Sequence, residues 1–356
     1  MQNDQTYSKG AGKPSQRSQS SSALPLEPLC QYCRQIPFTP AAREKAEEGL
    51  RVTEKVNRWS LGHGARVQFR PCPFCKIVTR AYDSLYQTDT AGTAKMLMLQ
   101  EDVEITWHYN NGPGGRNAFA IDAGALQNWI CQVETKPSSA ADAHYIYLKH
   151  AINPVFDVNR LLKWISVCTT SHKESCYVPP LEFSKTFPGL PVLRLIDVAN
   201  ECLVELRTVP QYVALSYVWG EVPSVRLSTV NRPQLLRRGG IKAAWSALPR
   251  TIKDAIELVR KLGARYLWVD AICLVQNEPK DLSLGVNVMD QIYERSWLTI
   301  IAASGHNANA GLPGVQEGSR PKVNTSSRIL EGLYLGVYVP LDRLLKCSVH
   351  STRAWT

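Results

Sequence analysis

No apolar run in the 356-residue sequence approaches the roughly 18 residues that a membrane helix requires. The first 26 residues also lack the apolar stretch of a signal peptide and are rich in Ser, Gln, Gly and Lys. These absences predict a cytoplasmic protein with no membrane span, whose ten cysteines stay reduced or bind metal. Because the segment 1–26 has almost nothing to bury, we expect a disordered tail there.

The sequence has an excess of positive charge, with a formal net charge of +10. Such an excess favours nucleic acid when the charges share one surface. The densest stretch runs from Arg232 to Arg265 and holds nine Lys or Arg residues. Much of it has the pattern of an amphipathic helix with a solvated charged face. We therefore do not expect nucleic acid as the main partner, and a DNA-associated zinc protein is the weakest of three functional hypotheses.

Two cysteine pairs, each with two residues between its members, flank a charged helical segment near the N-terminus. They are Cys30 with Cys33 and Cys72 with Cys75. Four thiolates in two such pairs suit a tetrahedral zinc ion, and a reducing compartment disfavours disulfides. The 38 residues between the pairs exceed the spacing of many zinc ribbons, so ordinary buried cysteines remain the alternative. We expect a structural zinc ion at these four residues.

A second group of candidate metal ligands follows a short helix predicted over residues 157–166. It consists of Cys168, His172 and Cys176. A tetrahedral site needs a fourth ligand, and the sequence offers no evident one. Whether this group binds metal therefore stays open.

The segment from Asp102 to Ala123 alternates apolar and polar residues on both sides of an NNGPGG turn. This alternation predicts a β-hairpin. With the cysteine pairs and the short helices, it makes residues 27–190 a small α+β region. A Pro-rich connector, YVPPLEFSKTFPGLP, then places the boundary with a C-terminal domain, 191–356, near residue 190.

Apolar strands alternate with helices in this C-terminal domain. Strands are predicted over 213–219, 266–272 and 297–304, after the strand-like runs PVLRLIDV and ECLVELRTV. The helix LPRTIKDAIELVRKLG follows the first strand, with Thr251 as its cap and Asp254 completing a capping box. DLSLGVNVMDQIYERS is predicted to form a second helix. Apolar strands that alternate with helices predict a parallel sheet covered on both faces.

Four stretches of the C-terminal domain resemble one known family. They are YVALSYVWG, LPRTIKDAIELVRKLGARYLWVDAICLVQNE, MDQIYERSWLTIIAASG and RAWT, and in this order they are similar to the HET domain of filamentous fungi over residues 212–356. The resemblance implies heterokaryon incompatibility, in which nonself recognition leads to programmed cell death through a protein partner or self-association. It also implies a TIR-like, flavodoxin-like parallel sheet. Because some TIR relatives cleave NAD, a TIR-like NAD or nucleotide hydrolase is the alternative function.

The sequence departs from the family pattern in two places. Gly285 stands where relatives usually carry Glu or Gln, which removes a polar side chain from the second helix. The chain also stops at Thr356, directly after RAWT, where relatives continue with a Gln-Glu pair and further helices. We therefore expect either a fragment or a truncated domain, and little NAD cleavage.

Ligands of doubly wound sheets bind beyond the carboxyl ends of the strands. Trp219 and Glu221 follow the first predicted strand, and Asp270 and Cys273 lie at the end of the second. We expect these residues to line one crevice. A carboxylate such as Asp270 near a buried strand end must be paired, hydrogen-bonded or shifted in its pKa, so it either serves chemistry or holds a neighbouring loop. Glu221 is a candidate to stabilise an oxocarbenium ion, or else a solvated loop residue.

A hydrolytic nucleophile and its base are also candidates in this domain. Ser216, Cys273 and His306 have the required side chains, but nothing in the sequence brings them together and the G-x-S-x-G motif is absent. The catalytic residues stay unknown, and we expect a non-catalytic signalling module.

Overall fold

The computed structural model describes residues 27–49, 57–86, 99–108, 112–113, 118–123, 126–133, 154–172, 182–320, 326–346 and 348–352. The predicted tail, Cys176 and the RAWT block lie outside these residues. The strands are β1 Arg58–His63, β2 Asp102–His108, β3 Ala118–Ala123, β4 Leu126–Val133, β5 Leu193–Asp197, β6 Cys202–Leu206, β7 Val213–Ser216, β8 Tyr266–Trp268, β9 Leu298–Ile301, β10 Ser326–Leu330 and β11 Leu333–Tyr338.

The helices of the described chain are mostly short. They are α1 Pro40–Glu47, α2 Gly64–Val67, α3 Pro73–Tyr86, α4 Val158–Ser171, α5 Phe183–Thr186, α6 Arg232–Leu235, α7 Gly240–Ala243, α8 Arg250–Lys261, α9 Asp270–Cys273, α10 Pro279–Asn287, α11 Met289–Glu294 and α12 Leu341–Lys346, with 3-10 turns at Cys33–Gln35, Trp245–Ala247 and Val349–Thr352. Among the described residues, no helix has both the length and the apolar character needed to cross a membrane.

The first sheet has six strands in the order β1-β2-β3-β4-β11-β10, and all its neighbours are antiparallel. The predicted hairpin is confirmed, since Ile105 of β2 lies opposite Ile121 of β3 and both are buried. α3 packs against β4, β10 and β11. Its buried residues recur at the spacing of one helix face, which is why this segment covers a sheet: Phe74, Ile77, Val78 and Ala81.

Two strands of the first sheet come from the C-terminal part of the chain. β11 pairs with β4, with Gly336 opposite Cys131, and β10 lies beyond it. Strands from both sides of residue 190 therefore share one sheet and one core. The predicted domain boundary at that residue stays a prediction.

The second sheet has five strands in the order β6-β5-β8-β7-β9. β7 pairs in parallel with both β8 and β9, as predicted for these three strands. The sheet as a whole is mixed, because β5 and β6 form a hairpin and β5 pairs antiparallel with β8. The purely parallel TIR-like or flavodoxin-like sheet is therefore not confirmed.

The predicted strands and the second helix of this domain are too long. β7 ends at Ser216, and β8 ends at Trp268 because the chain turns into α9 at Asp270. β9 is only half-buried, since its pairing partner in the described chain is β7 alone. The predicted second helix is two helices, α10 and α11, because Val288 (φ −115, ψ 15) interrupts the helical backbone.

The capping box predicted for α8 is wrong. The helix begins at Arg250 after Pro249, and both predicted capping residues are buried within it. The Thr251 hydroxyl accepts the N–H of Gly311 at 3.0 Å, and the Asp254 carboxylate accepts the N–H of Leu312 at 2.8 Å. These side chains bond the loop after β9 and not the start of the helix. The tertiary fold places the backbone N–H groups of that loop within hydrogen-bond distance of them.

Candidate metal centre and strand-end crevice

The two cysteine pairs lie in two short turns. The N–H of Arg34 donates to the Cys30 carbonyl at 3.0 Å, and the N–H of Lys76 donates to the Cys72 carbonyl at 3.1 Å. Each pair thus spans one backbone turn, which brings its sulfurs to the same side. Pro73 begins α3 directly after Cys72, a position that proline favours because a first-turn N–H has no helical partner.

The four sulfurs converge, as the sequence predicts. All of them lie within 4.8 Å of one another. The Sγ atom of Cys75 is 3.7 Å from that of Cys30 and 3.7 Å from that of Cys33. Cys30 is partly exposed, whereas the other three cysteines are buried. This arrangement of Cys30, Cys33, Cys72 and Cys75 can hold a metal ion.

The electrostatics of the cluster favour a bound cation. A hydrogen bond with Cys72 raises the pKa of the Cys33 thiol well above its usual range, and the bond with Cys75 and burial add to this. The same hydrogen bond lowers the pKa of Cys72. The Cys72 sulfur is thus readily negative, whereas the thiols of Cys33 and Cys75 resist a second negative charge. A metal ion removes that resistance, because thiolates bind it only after losing their protons.

Aromatic side chains surround the cysteine cluster. Phe74, next to Cys75 in sequence, packs edge-on against Phe38 with ring centroids 4.8 Å apart and against Phe119 at 5.5 Å. The guanidinium of Arg43 lies 3.7 Å from the centre of the Trp107 ring in the same core. The cluster is therefore continuous with the core of the first sheet.

The second candidate metal group is only partly described. The Sγ atom of Cys168 lies 3.5 Å from Nδ1 of His172, on one face of the end of α4. α4 itself runs five residues beyond the predicted helix end at 166. Because Cys176 falls outside the described residues, metal binding by this group remains untested.

Trp219 and Asp270 lie together at the carboxyl edge of the second sheet. The indole Nε1–H donates to both carboxylate oxygens of Asp270, at 3.1 and 3.0 Å. The N–H of Ala271 donates to Oδ1 of the same carboxylate at 2.7 Å. The two residues meet because β7 and β8 are parallel neighbours, so their carboxyl ends lie at one edge. Asp270 is 8% exposed, and these bonds tie together the two strand-end loops.

The other two crevice candidates are placed differently. Cys273 is buried in α9, and burial raises the pKa of its thiol to about 12. Its sulfur accepts the N–H of Val269 at 3.3 Å, so it is a neutral core residue at neutral pH. Cys273 therefore lacks the lowered pKa and the exposure of a reactive thiol. Glu221 is exposed in the turn after Gly220.

Gly220 permits a close approach of two loops beside Trp219. Its φ is +61, and a Cβ atom at this position would lie 2.5 Å from Cβ of Asn307. The N–H of Ala308 donates to the Trp219 carbonyl at 3.0 Å. The loop after β9 therefore closes over the Trp219 side of the crevice.

Nothing in the sequence grouped Ser216 with Cys273 and His306, and the structure does not bring the three residues together. His306 is exposed, and Cys273 lies in the core. The Ser216 hydroxyl instead lies 2.8 Å from Nε2 of His350. The sequence analysis missed His350 because it lies 134 residues away in a segment without a strong pattern.

Arg194 and Asp281 are further site residues that the sequence analysis missed. Arg194 lies between two leucines in the buried strand β5, and a charged residue at that position was the available signal. Its guanidinium bonds Asp281, and Asp281 also accepts the N–H of Val275 at 2.9 Å. This pair fixes the loop between Asp270 and α10.

The match to a known family agrees with these blocks. Residues 212–356 match the family described as Heterokaryon incompatibility protein (HET). No curated protein and no solved structure matches the chain significantly. The matched region begins at Tyr212, directly before β7, and includes the crevice, the Ser216–His350 contact and the strands β10 and β11. Residues 212–356 of the chain therefore form a HET domain.

Proposed function

We propose that this chain acts in heterokaryon-incompatibility-type nonself recognition, as a cytoplasmic signalling module that starts programmed cell death in a fungus. The observation that carries the proposal is the family match over residues 212–356. Signalling follows from association, either with a protein partner or with a second copy of the HET domain.

The hydrogen bonds of the crevice favour a non-catalytic role. Both oxygens of Asp270 accept bonds from Trp219, and Ala271 adds a third donor. A general acid or base must offer a carboxylate oxygen to a substrate, whereas both oxygens of Asp270 already accept hydrogen bonds from the protein. Asp270 thus supports the alternative that its role is to hold the loops.

The test separates the charge of Asp270 from its hydrogen bonds. Asp270→Asn keeps an oxygen that accepts from Trp219 and Ala271, whereas Asp270→Ala removes it. On induced expression in a filamentous fungus, we expect the wild type and Asp270→Asn to arrest growth equally. The Asp270→Ala variant should not arrest growth, and its melting temperature should be lower than that of the wild type. Loss of cell death in a fully folded Asp270→Asn variant would contradict the proposal and indicate a catalytic carboxylate.

A TIR-like NAD or nucleotide hydrolase is the second candidate. The strand order β8-β7-β9 supports it, because parallel strands with the first in the middle are typical of flavodoxin-like sheets. The side chain of Leu274 argues against it, since it occupies the space in which a Cβ atom at Gly285 would lie. A polar side chain such as relatives carry therefore requires the Leu274 side chain to move. Nicotinamide release from NAD by the purified chain distinguishes the two functions.

We also propose that the four N-terminal cysteines bind a structural zinc ion. Four sulfurs at about 2.3 Å from a tetrahedral zinc lie about 3.8 Å from one another. The two separations of 3.7 Å at Cys75 agree with that geometry. Zinc at this site links the turn at Cys30 and Cys33 to the start of α3. Its chemistry there is structural, because four protein ligands leave no open position.

A further inference from the structure

A cavity of about 520 Å³ opens at the carboxyl ends of β7 and β9. Ser216, the last residue of β7, and Ile301, the last residue of β9, both line it. The chain leaves β7 for β8 on one side and later returns to β9 on the other side of β7. This reversal of strand order is the topological switch point at which open α/β sheets bind ligands.

The walls of the cavity are largely apolar. α11 contributes Met289 and Tyr293, β9 contributes Ile301, and the C-terminal segment contributes Leu345. Two charged residues also line the cavity, Asp290 and Lys346, and both are exposed. Thr299, Ser348 and Ser351 also line the cavity, but most of its wall area is apolar, as in the sites that hold small organic molecules.

One buried polar pair faces this apolar space. The Ser216 hydroxyl lies 2.8 Å from Nε2 of His350, and His350 is 5% exposed. A serine hydroxyl has one donor and two acceptor sites, and the contact with His350 uses one of them. Ser216 therefore keeps the capacity to bond a ligand. The tautomer of His350 decides whether the Ser216 hydroxyl is left to donate or to accept. A ligand hydroxyl can bond Ser216 in both cases, because a hydroxyl both donates and accepts.

Residues 341–346 and 348–352 form one wall of the cavity. α12 and the following turn contribute Leu345, Ser348 and His350 to the lining. The Ser351 hydroxyl donates to the Lys346 carbonyl at 2.9 Å, which folds the segment on itself. A bound molecule would contact this wall and β9 together, so binding should protect the segment.

We propose that this cavity binds a small, uncharged, largely apolar molecule that carries one hydroxyl group, with Ser216 as its hydrogen-bonding anchor. The apolar walls exclude water from the ring or chain of the ligand. The Ser216–His350 pair selects the hydroxyl and sets its orientation. The site is separate from the Trp219–Asp270 contact, and it adds a small-molecule input to the signalling role.

The test compares two probes that differ in one hydroxyl group, 2-naphthol and naphthalene, by ligand-observed NMR titration of the full chain. We expect 2-naphthol to bind about fivefold more tightly, the factor that one neutral hydrogen bond contributes. Ser216→Ala should remove that difference and leave naphthalene binding unchanged. Ile301→Trp, a change at a residue that is 51% exposed, should fill the cavity and weaken both probes more than tenfold.

Two variants serve as controls for this experiment. Ser246→Ala changes an exposed serine elsewhere, and Val230→Trp adds an indole at a residue that is 86% exposed. Both should bind the probes like the wild type. Hydrogen exchange in residues 341–352 should slow when 2-naphthol binds.

Three results would overturn the proposal. They are no binding of either probe to the wild type, unchanged binding to a folded Ile301→Trp variant, and displacement of both probes by NAD. Displacement by NAD would indicate that the cavity is the nucleotide site of the hydrolase. The comparison of the two probes in the wild type needs no variant. Equal binding of 2-naphthol and naphthalene would therefore also refute the proposal, even if the Ser216→Ala protein misfolds.

Discussion

Arg194 of β5 forms a two-point ion pair with Asp281 of α10, with Nη1–Oδ2 and Nη2–Oδ1 distances of 2.8 and 2.7 Å. The Arg194 side chain is 4% exposed and that of Asp281 is 10% exposed. Arg194 also bonds Glu205 of β6 at 2.8 Å. The pair therefore joins the antiparallel hairpin of the second sheet to the helix that follows the crevice loop.

Loss of one member of this pair should destabilise the protein strongly. We expect Asp281→Ala to lower the free energy of unfolding by up to about 3–5 kcal/mol, because the buried Arg194 loses its two-point partner and keeps only Glu205 as a charged neighbour. Chemical denaturation measures this change. The matched control is Asp290→Ala, at an exposed aspartate of the neighbouring helix, which should change stability by less than about 0.5 kcal/mol. Equal effects of the two substitutions would show that the ion pair contributes little.

Removal of the metal ligands should loosen more than the N-terminal turns. We expect Cys30→Ser with Cys72→Ser to abolish zinc binding, measured by elemental analysis against about one ion per wild-type chain. Because α3 starts at this cluster and packs on β10 and β11, these strands should become protease-sensitive together with α3. The second sheet should stay folded, since its core is a separate cluster of buried residues.

The control for the metal experiment is Cys202→Ser, at a buried cysteine of the second sheet. It should leave the zinc content unchanged. Wild-type protein that contains no zinc when it is prepared without chelators would contradict the proposed ion.

Acidification should remove the stabilisation that the ionised Asp197 carboxylate gives to the folded protein. Asp197 is 1% exposed; burial opposes its charge, but hydrogen bonds from Arg265 and Asn200 outweigh this and lower the pKa of its carboxyl. The pKa of an aspartate carboxyl in the unfolded chain is about 3.9. As the pH falls towards that value, the unfolded chain therefore binds more protons at Asp197 than the folded protein does. The contribution of Asp197 is thus complete above about pH 4 and is lost as the pH falls through the lower folded pKa.

Denaturation curves between neutral pH and pH 2 check this dependence. Asp197→Asn should be less stable at neutral pH and lose less stability on acidification. Asp342→Asn, at an exposed aspartate, should follow the wild type. An unchanged pH dependence in the Asp197→Asn protein would refute the assignment.

Replacement of Gly285 by the glutamate that relatives usually carry there should destabilise the protein. Gly285 is buried in α10, and a Cβ atom there would collide with the Leu274 side chain. We expect Gly285→Glu to cost about 1–3 kcal/mol through overpacking. Combined with Leu274→Ala, it should cost less than the sum of the two single changes, measured by a double-mutant cycle. Additive effects would show that the two side chains do not compete for space.

The fold was partly predictable because period and motif are local properties. The alternation in residues 102–123 predicts the hairpin, and the apolar runs around Val213, Tyr266 and Leu298 predict three parallel strands. Their ends were predicted too far along the chain, since hydrophobicity continues into α9 and into the loops that follow β7 and β9. Apolar residues pack in helices and loops as well as in strands, so composition alone does not set a boundary.

The sequence by itself determined the HET domain, the two cysteine pairs and the parallel direction of β7, β8 and β9. Local spacing carries all three, because a two-residue spacer fixes a turn and buried strands with helical connections favour parallel pairing. Only the tertiary structure decided that β11 joins β4, that His350 reaches Ser216 and that Arg194 holds Asp281. These contacts join residues 87 or more positions apart, where the partner is set by how the elements pack in three dimensions and not by any local pattern.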